Sequence, residues 1–220
     1  MPGRTLAIGD IHGCDVALNT LLQGLSLAPD DTVVVLGDAV DRGPATRQVI
    51  DRLLQLSGEC RFVFILGNHE EMLLEAIDRG AAVEAWLRYG GAATLVSYGG
   101  DPRTIPAAHL DLMRSARDYW QTKNEIFIHA NLEPGVALER QQPEWLRWTH
   151  LSGYETPHSS GKRVVCGHTP QKNGLPLTLS GWVGIDTYAW GSGWLTCLDA
   201  GSNEWFQGNQ AGEFRSGRLS

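Results

Sequence analysis

The chain has 220 residues, with 18 basic against 25 acidic side chains and a formal net charge of −7. This length fits one large domain or two small ones, with enough interior for a full hydrophobic core. The acidic balance argues against a nucleic-acid-binding surface. No apolar run reaches the length of a membrane span and no signal peptide is apparent, so we expect a cytoplasmic protein without a membrane partner.

Three strand–turn–helix units fill the first 80 residues. Apolar runs at residues 6–8, 33–36 and 61–66 predict buried strands, and each is followed by a polar turn and a helix with one apolar face. This alternation predicts a parallel sheet with helices on its faces. The polar turns then meet at the carboxyl ends of the strands, where open α/β folds place their sites.

The polar turns carry carboxylate, amide and imidazole groups. They are GDIHG at residues 9–13, GDAVDRG at residues 37–43 and GNHE at residues 67–70. Later strands predicted over residues 125–130 and 163–169 deliver two more histidines, His129 and His168, at or near their ends. Further strands are predicted over residues 183–187 and 194–198.

The whole chain is expected to form one domain with an internal insertion and a C-terminal tail. Residues 81–125 are rich in glycine and aromatic side chains and include a predicted helix over residues 109–119. We expect a helical, cap-like insertion there, covering the site. Residues 1–206 make up the single domain that contains this insertion, and the polar, glycine-rich residues 207–220 are expected to be a flexible tail.

Six side chains at the strand ends are candidate metal ligands. They are Asp10, His12, Asp38, Asn68, His129 and His168. Oxygen and imidazole donors together suit manganese, iron or zinc rather than magnesium or calcium alone. Six ligands are too many for one ion with an open position, so we expect two divalent ions. Each residue alone is more often a helix cap or a core residue, and their joint occurrence is what favours a metal site.

The three turns resemble the GDxHG, GDxxDRG and GNHE motifs of phosphoprotein-phosphatase-type, calcineurin-like metallophosphoesterases. The chain is most similar to the small bacterial and bacteriophage-lambda-type serine/threonine protein phosphatases. Later segments look like further blocks of that group: FIHA at 127–130, WLR at 145–147, GHTP at 167–170 and IDT at 185–187. The resemblance implies an α/β (α+β) class with the four-layer metallophosphoesterase fold, a central mixed β-sandwich flanked by helices.

The resemblance also implies two metal sites. Asp10, His12 and Asp38 would hold the first ion. The second would be held by Asp38, Asn68, His129 and His168, with Asp38 bridging the pair. Manganese is the expected ion, with iron or zinc as alternatives, and a metal-bound water that has lost its proton would attack phosphorus.

Four side chains receive catalytic roles from the same resemblance. Arg42 and Arg147 would bind the phosphate oxygens, together with Asn68. His69 would be the general acid for the leaving oxygen, and Asp41 would orient it.

The implied function is hydrolysis of phosphomonoesters, with phosphoserine and phosphothreonine in proteins favoured over small phosphoesters. A diadenosine-tetraphosphate hydrolase or a phosphodiesterase is the alternative, and a phosphate-sensing module is the non-enzymatic one. The presence of all six ligands, His69 and both arginines weighs against a sensing module. Pro170 stands where many nucleases and phosphodiesterases of this class have a second histidine, which favours the phosphatase branch.

Three departures from the family pattern affect the site. Ala39 stands where larger residues are common, which predicts a roomier floor. Asn131 replaces the usual glycine after His-Ala, and asparagine tolerates positive φ better than most residues. Tyr188, Trp190 and Trp182 follow or precede the last block, where they form either an aromatic wall near the mouth or ordinary packing.

Overall fold

The computed structural model describes residues 3–219. Eleven strands in this part of the chain are Thr5–Ile8 (β1), Thr32–Val35 (β2), Arg61–Phe64 (β3), Tyr119–Gln121 (β4), Glu125–Ile128 (β5), Arg163–Cys166 (β6), Leu177–Leu179 (β7), Trp182–Gly184 (β8), Leu195–Asp199 (β9), Glu204–Gly208 (β10) and Phe214–Arg218 (β11). Seven α-helices in residues 3–219 are Asp15–Leu25 (α1), Thr46–Glu59 (α2), Asn68–Arg79 (α3), Val83–Trp86 (α4), Ala92–Ser97 (α5), Ala107–Arg114 (α6) and Pro143–Trp148 (α7).

The strands form two mixed sheets. The first has the order β11-β10-β9-β1-β2-β3, and the second has the order β4-β5-β6-β8-β7. Strands β1, β2 and β3 are parallel, as predicted, and β9 joins β1 in the antiparallel sense. In the second sheet β5, β6 and β8 are parallel, with β4 and β7 antiparallel at its edges.

The two sheets pack face to face because alternate side chains of a strand point to opposite faces. Ala7 and Val34 of the first sheet share a fully buried cluster with Phe127 and Val165 of the second. The opposite face of β1 and β2 packs against α1, α2 and α3 in a separate cluster. Helix α7 covers the outer face of the second sheet through Leu146. The predicted four-layer fold with a mixed β-sandwich is therefore confirmed, with an outer layer of one short helix and loops on the second sheet.

The residues from Gln207 onward differ from the predicted flexible tail. Strands β10 and β11 pair with each other, and β10 pairs with β9 at the edge of the first sheet. The Gln207 amide is buried and donates to the Gly174 carbonyl and to Thr196 Oγ1, at 3.0 and 2.7 Å. Arg215 lies 4.1 Å above the Trp194 ring. Polar residues are ordered here because edge strands tolerate them and these find specific partners.

The insertion is helical for most of its length. Helices α4 and α5 are joined by a π-helical turn at Leu87–Gly91, and α6 follows. The insertion then ends in β4, which pairs with β5 of the second sheet, rather than in a longer helix. Among the helices of residues 3–219, none has both the length and the apolar character needed to cross a bilayer.

Candidate metal centre

Five polar loops meet at the carboxyl ends of β1, β2, β3, β5 and β6. They bring potential ligand atoms within 4.8 Å of one another in two groups, which are His12–Asp38–His69 and Asp38–His129–His168. The His168 side chain is half-buried, and the others are buried. The Asp38 carboxylate belongs to both groups, so the two halves of the centre share one anion.

The two oxygens of Asp38 face different halves. Oδ2 lies 3.5 Å from Nε2 of His12, and Oδ1 lies 3.4 Å from Nε2 of His129. Burial would raise the pKa of the Asp38 carboxyl, but the surrounding imidazoles, His129 first, hold that pKa well below its usual value. The group is therefore ionised, and its geometry allows it to bridge two cations.

Each of the three histidines beside this carboxylate faces a backbone carbonyl with one ring nitrogen. The pairs are His12 Nδ1 with Val40 (2.8 Å), His129 Nδ1 with Leu36 (2.8 Å) and His168 Nε2 with Trp148 (3.1 Å). A carbonyl only accepts, so these nitrogens carry the hydrogen. Burial lowers the pKa of all three imidazoles, to about 3 for His168, so each ring is neutral. The other nitrogen of each ring then offers a lone pair to the centre.

This arrangement fits a bound transition metal. Nε2 of His129 and Nδ1 of His168 lie 3.2 Å apart. Two lone pairs at that separation repel each other unless a cation lies against both. Imidazole nitrogens oriented by backbone carbonyls, with a carboxylate between them, are the ligands that manganese, iron and zinc bind in proteins.

The remaining predicted ligands lie at the same place. Asn68 Oδ1 is 3.0 Å from Nε2 of His129. The Asp10 carboxylate accepts the backbone N–H of His168 at 3.0 and 3.1 Å. Burial, followed by repulsion from Asp186 and Asp38, raises the pKa of Asp10 well above its usual value. A buried carboxylate in this condition gains from a nearby cation, which fits the ligand role predicted for Asp10.

Asp186 is a further buried acid beside the centre that was not among the predicted site residues. One of its oxygens accepts the Tyr188 N–H at 3.0 Å, and the other, Oδ2, has no partner within residues 3–219. Burial raises the pKa of this carboxyl to about 7. Its place in the IDT segment was the only sequence signal for it.

His69 and Asp41 form a buried pair beside the first half of the centre. Nδ1 of His69 lies 2.7 Å from Asp41 Oδ2, and Nε2 is buried without a partner in the described chain. Burial would lower the pKa of His69, but the carboxylates of Asp38 and Asp41 raise it above its usual value. The imidazole can therefore carry a proton at Nε2, 3.9 Å from Asp38.

Two residues of the insertion hold Asp41 in place by hydrogen bonds, a contact that the sequence did not reveal. The indole N–H of Trp86 reaches its two oxygens at 3.0 and 3.1 Å, and the Thr94 hydroxyl donates to Oδ1 at 2.7 Å. Both side chains are fully buried. The insertion thus fixes the carboxylate that orients His69.

Glu70 fixes the loop that carries Asp38. Its buried carboxylate accepts the backbone N–H groups of Asp38, Ala39, Val40 and Gly67, at 2.8 to 3.2 Å. A Cβ at Gly67 would lie 2.2 Å from Asp38 Oδ1, so only glycine allows this approach. Burial and the charge of Asp38 raise the pKa of Glu70 to about 7. Glutamate three residues after a helix-capping glycine was the available sequence signal.

The backbone of the centre is strained. Nine residues other than glycine have positive φ within residues 3–219, and six of them lie in or beside the centre: His12, Asp38, Asp41, Arg42, His168 and Tyr188. Such conformations are disfavoured for residues with a Cβ and persist only where the surroundings hold them. Their clustering marks these loops as the part of the fold in which side-chain placement overrides local backbone preference.

Arg42 lies at the mouth of the centre with an aromatic pair. Its guanidinium approaches Nε2 of His12 at 3.1 Å and lies 4.8 Å from the centre of the Trp190 ring. Trp190 contacts Tyr188 edge-to-face, with ring centroids 4.7 Å apart. Two of the three aromatic residues considered for a wall are therefore here, whereas Trp182 packs in the core outside the second sheet.

Arg147 lies outside this set of contacts. Its guanidinium pairs with Glu71 and, at 2.6 Å, with Asp118. Within residues 3–219 no hydrogen bond or ion pair joins it to a predicted metal ligand. The predicted phosphate contact of Arg147 would thus require an anion to compete with two carboxylates.

The two departures near the ligands have other consequences than expected. Ala39 is fully buried and packs in the core cluster shared with the helices of the first sheet, so it does not form a floor of the site. Asn131 does not adopt positive φ. Its side chain instead accepts the Leu132 N–H and donates to the His150 carbonyl, which ties together the loops after β5 and α7.

The family model described as calcineurin-like phosphoesterase matches residues 3–181. The chain belongs to this family. The match includes all six predicted metal ligands together with His69, Asp41, Arg42 and Arg147.

Curated relatives carry two different names. A symmetrical bis(5'-nucleosyl)-tetraphosphatase of Janthinobacterium sp. (strain Marseille) is 32% identical over 160 residues, covering 64% of this chain and 53% of that protein. Serine/threonine-protein phosphatase 2 of Escherichia coli (strain K12) is 40% identical over 85 residues, 38% of this chain and 37% of that protein. The chain thus spans about half the length of the first relative and less of the second.

The fold is also found among solved structures. The cold-active protein-tyrosine phosphatase of a psychrophilic Shewanella species superposes with a TM-score of 0.68 at 19% identity, over 98% of this chain and 80% of that chain. This likeness supports the fold assignment.

Proposed function

We propose that this protein is a metal-dependent hydrolase of dinucleoside polyphosphates that binds two divalent ions. The substrate class comes from the tetraphosphatase relatives, of which several bacterial examples align with this chain. In the sequence analysis this activity was the alternative to hydrolysis of phosphoserine and phosphothreonine. The chain spans only part of the length of these relatives.

One observation carries the proposal. Three neutral imidazoles each donate a ring N–H to a backbone carbonyl and turn the remaining lone pair toward a shared carboxylate. We assign Asp10, His12 and Asp38 to the first ion. Asp38, Asn68, His129 and His168 are assigned to the second, and manganese, iron and zinc all suit these donors.

Bound divalent ions would supply positive charge for the phosphate oxygens and activate water near neutral pH. Arg42 would add a planar pair of donors at the mouth, held in place by its stacking on Trp190. Arg147 remains a predicted phosphate ligand. We expect Arg42 to contribute more to phosphate binding than Arg147, because two carboxylates already balance the charge of Arg147.

His69 would protonate the leaving oxygen from Nε2. Asp41 keeps the opposite nitrogen occupied and helps to raise the pKa of the imidazole, so that a proton is available near neutral pH. An alkoxide leaving from phosphoserine needs this proton more than a nucleotide phosphate does. The His69–Asp41 pair, together with the phosphatase relative, is what keeps phosphomonoester hydrolysis as a second candidate.

The test is a substrate panel on the manganese-loaded protein. It compares a symmetrical dinucleoside tetraphosphate, a phosphoserine peptide and a phosphodiester by kcat/KM. We expect the tetraphosphate to be the best substrate by at least tenfold. A larger kcat/KM for the phosphopeptide would replace the proposal by the second candidate.

The metal stoichiometry provides a separate check. We expect about two ions per chain after manganese loading and dialysis, as in sites where two metals clamp one phosphoryl group. A content that stays at one ion per chain would contradict the two-metal assignment.

A further inference from the structure

A cavity of about 480 Å³ lies beside the metal centre, between the loop after β5 and the loop after α7. Its volume falls within the range of small-molecule sites in proteins, roughly 300–1,000 Å³. Five aromatic rings contribute to its lining: Trp145, His150, Tyr154, His158 and Trp182. The cavity therefore has the size and the walls of a site for a flat organic group.

The cavity adjoins the second half of the centre. The His150 ring lies parallel to the His168 ring, with centroids 4.3 Å apart and planes inclined by 19°. Since His150 also lines the cavity, one imidazole separates it from a candidate metal ligand. A group seated there can remain attached to a phosphate at the ions.

The charges of the lining exclude a phosphate inside the cavity itself. None of the described residues that line it is a lysine or arginine, and two are glutamates, Glu133 and Glu155. A phosphate would be repelled, whereas a neutral ring with amino groups would find acceptors. An uncharged group therefore suits this lining better than a phosphate does.

The ring of His158 also lines the cavity. Its Nδ1 lies 2.7 Å from Ser160 Oγ and 3.2 Å from the Ser160 backbone nitrogen, and these contacts hold the ring against the loop.

We propose that this cavity binds one nucleobase of the substrate. The Tyr188–Trp190 pair, which adjoins the first half of the centre through His12, is then available for the base at the other end. Two aromatic sites that flank two metal sites match a molecule with a base at each end of a phosphate chain. This inference rests on the proposed function and adds to it where one end of the substrate lies.

The first test measures binding of adenosine, without phosphate or metal, to the full chain. Titration is followed by NMR of the tryptophan indole N–H groups, among which Trp145 and Trp182 line the cavity. We expect these two signals to shift. Thr156→Trp, which fills the cavity from its exposed rim, is expected to weaken binding roughly tenfold, as expected for loss of base stacking.

A matched variant sharpens this test. Val16→Trp adds the same bulk at an exposed position of α1 and is expected to leave binding unchanged. Adenosine shifts confined to Trp190, or affinity equal in Thr156→Trp and wild type, would overturn the cavity assignment.

The second test separates this inference from the proposed function. With dinucleoside tetraphosphate, Thr156→Trp is expected to raise KM roughly tenfold, while kcat/KM for inorganic tripolyphosphate, which has no base, is unchanged. A wild-type protein that hydrolyses tripolyphosphate but not the dinucleotide would refute the proposed function. The adenosine titration would then still test, independently of the substrate, whether the cavity binds a nucleobase.

Discussion

A buried aspartate lies next to each end of strand β2, and the two aspartates have different charge partners. At the amino end, Asp31 accepts hydrogen bonds from the backbone of Arg4 and Ala28 and pairs with the Arg4 guanidinium at 2.6 Å. At the carboxyl end, Asp38 lies among the neutral imidazoles of His12, His129 and His168 and close to further buried acids.

The difference lies in where the compensating charge comes from. Asp31 is neutralised by a residue of its own chain, and burial is more than offset by the Arg4 contacts, so its pKa falls to about 2. The carboxyl end gathers Asp10, Asp38, Glu70 and Asp186 around one nearby guanidinium, Arg42. A fold that keeps such an excess of buried acid is organised for an external cation.

Removing the shared carboxylate should have the largest effect. Asp38→Asn takes a charged ligand from both proposed ions, and we expect activity to fall by about 10³-fold or more. Manganese should raise the melting temperature of the wild type but much less that of the variant, because ligand-linked stabilisation is lost. Asp111→Asn, at an exposed acid of α6, is the control. Equal metal content in Asp38→Asn and wild type would contradict the bridging assignment.

Glu70→Gln should have the second-largest effect, because it weakens the hydrogen bonds that fix the loop around Asp38. Glutamine offers one acceptor oxygen where the carboxylate offers two, so some of the four backbone N–H groups lose their partner. We expect a loss of about 2–3 kcal/mol in the free energy of unfolding. Urea unfolding followed by circular dichroism measures it, with the exposed Glu84→Gln as control. A loss below that of the control would show that the loop is held by its strand contacts alone.

Asp31→Asn tests the amino end, and its effect should depend on pH. The pKa of Asp31 is depressed in the folded state, so its stabilisation is present above the unfolded pKa near 4 and lost as pH falls toward 2. We expect the variant to be less stable by about 2 kcal/mol at pH 7. In urea titrations at pH 2.5 the difference should shrink to about a third of its value at pH 7. A difference that is independent of pH would point to packing rather than to the Arg4 pair.

Trp86→Phe should have the smallest effect, and it should be selective. The variant keeps an aromatic ring but removes the indole donor to Asp41, so His69 is oriented less well. We expect a roughly tenfold loss of kcat for an alkyl phosphate, as for other groups that orient a catalytic residue. The loss for an aryl phosphate with a good leaving group should be several-fold smaller. Trp205→Phe is the matched control, and equal losses on both substrates would remove Asp41 orientation as the cause.

Much of the centre could be predicted from local sequence. Short apolar runs that end in glycine and an acid, amide or imidazole predict parallel strands with polar ends, and parallel strands must place those ends together. This is why Asp10, His12, Asp38 and Asn68, which follow β1, β2 and β3 of the first sheet, lie close together. His129 and His168 follow the parallel strands β5 and β6 of the second sheet, and the packing of the two sheets brings them to the first group.

What local sequence could not predict depends on contacts between distant segments. Trp86 and Thr94 reach Asp41 across about fifty residues, and Glu70 reaches back to the loop after β2. Arg147 pairs with Glu71 and Asp118, which are seventy-six and twenty-nine residues away in sequence, and not with a residue of the centre.

The sequence by itself determined the fold class, the strand ends and the chemical identity of the proposed ligands, because each follows from periodicity and chain direction. Only the tertiary structure decided which buried acids are paired within the chain and which face the metal centre. It also decided that residues 204–218 join the first sheet and that a cavity opens beside His150. These outcomes depend on how separate loops and edges fit together in space, and no short segment encodes that fit.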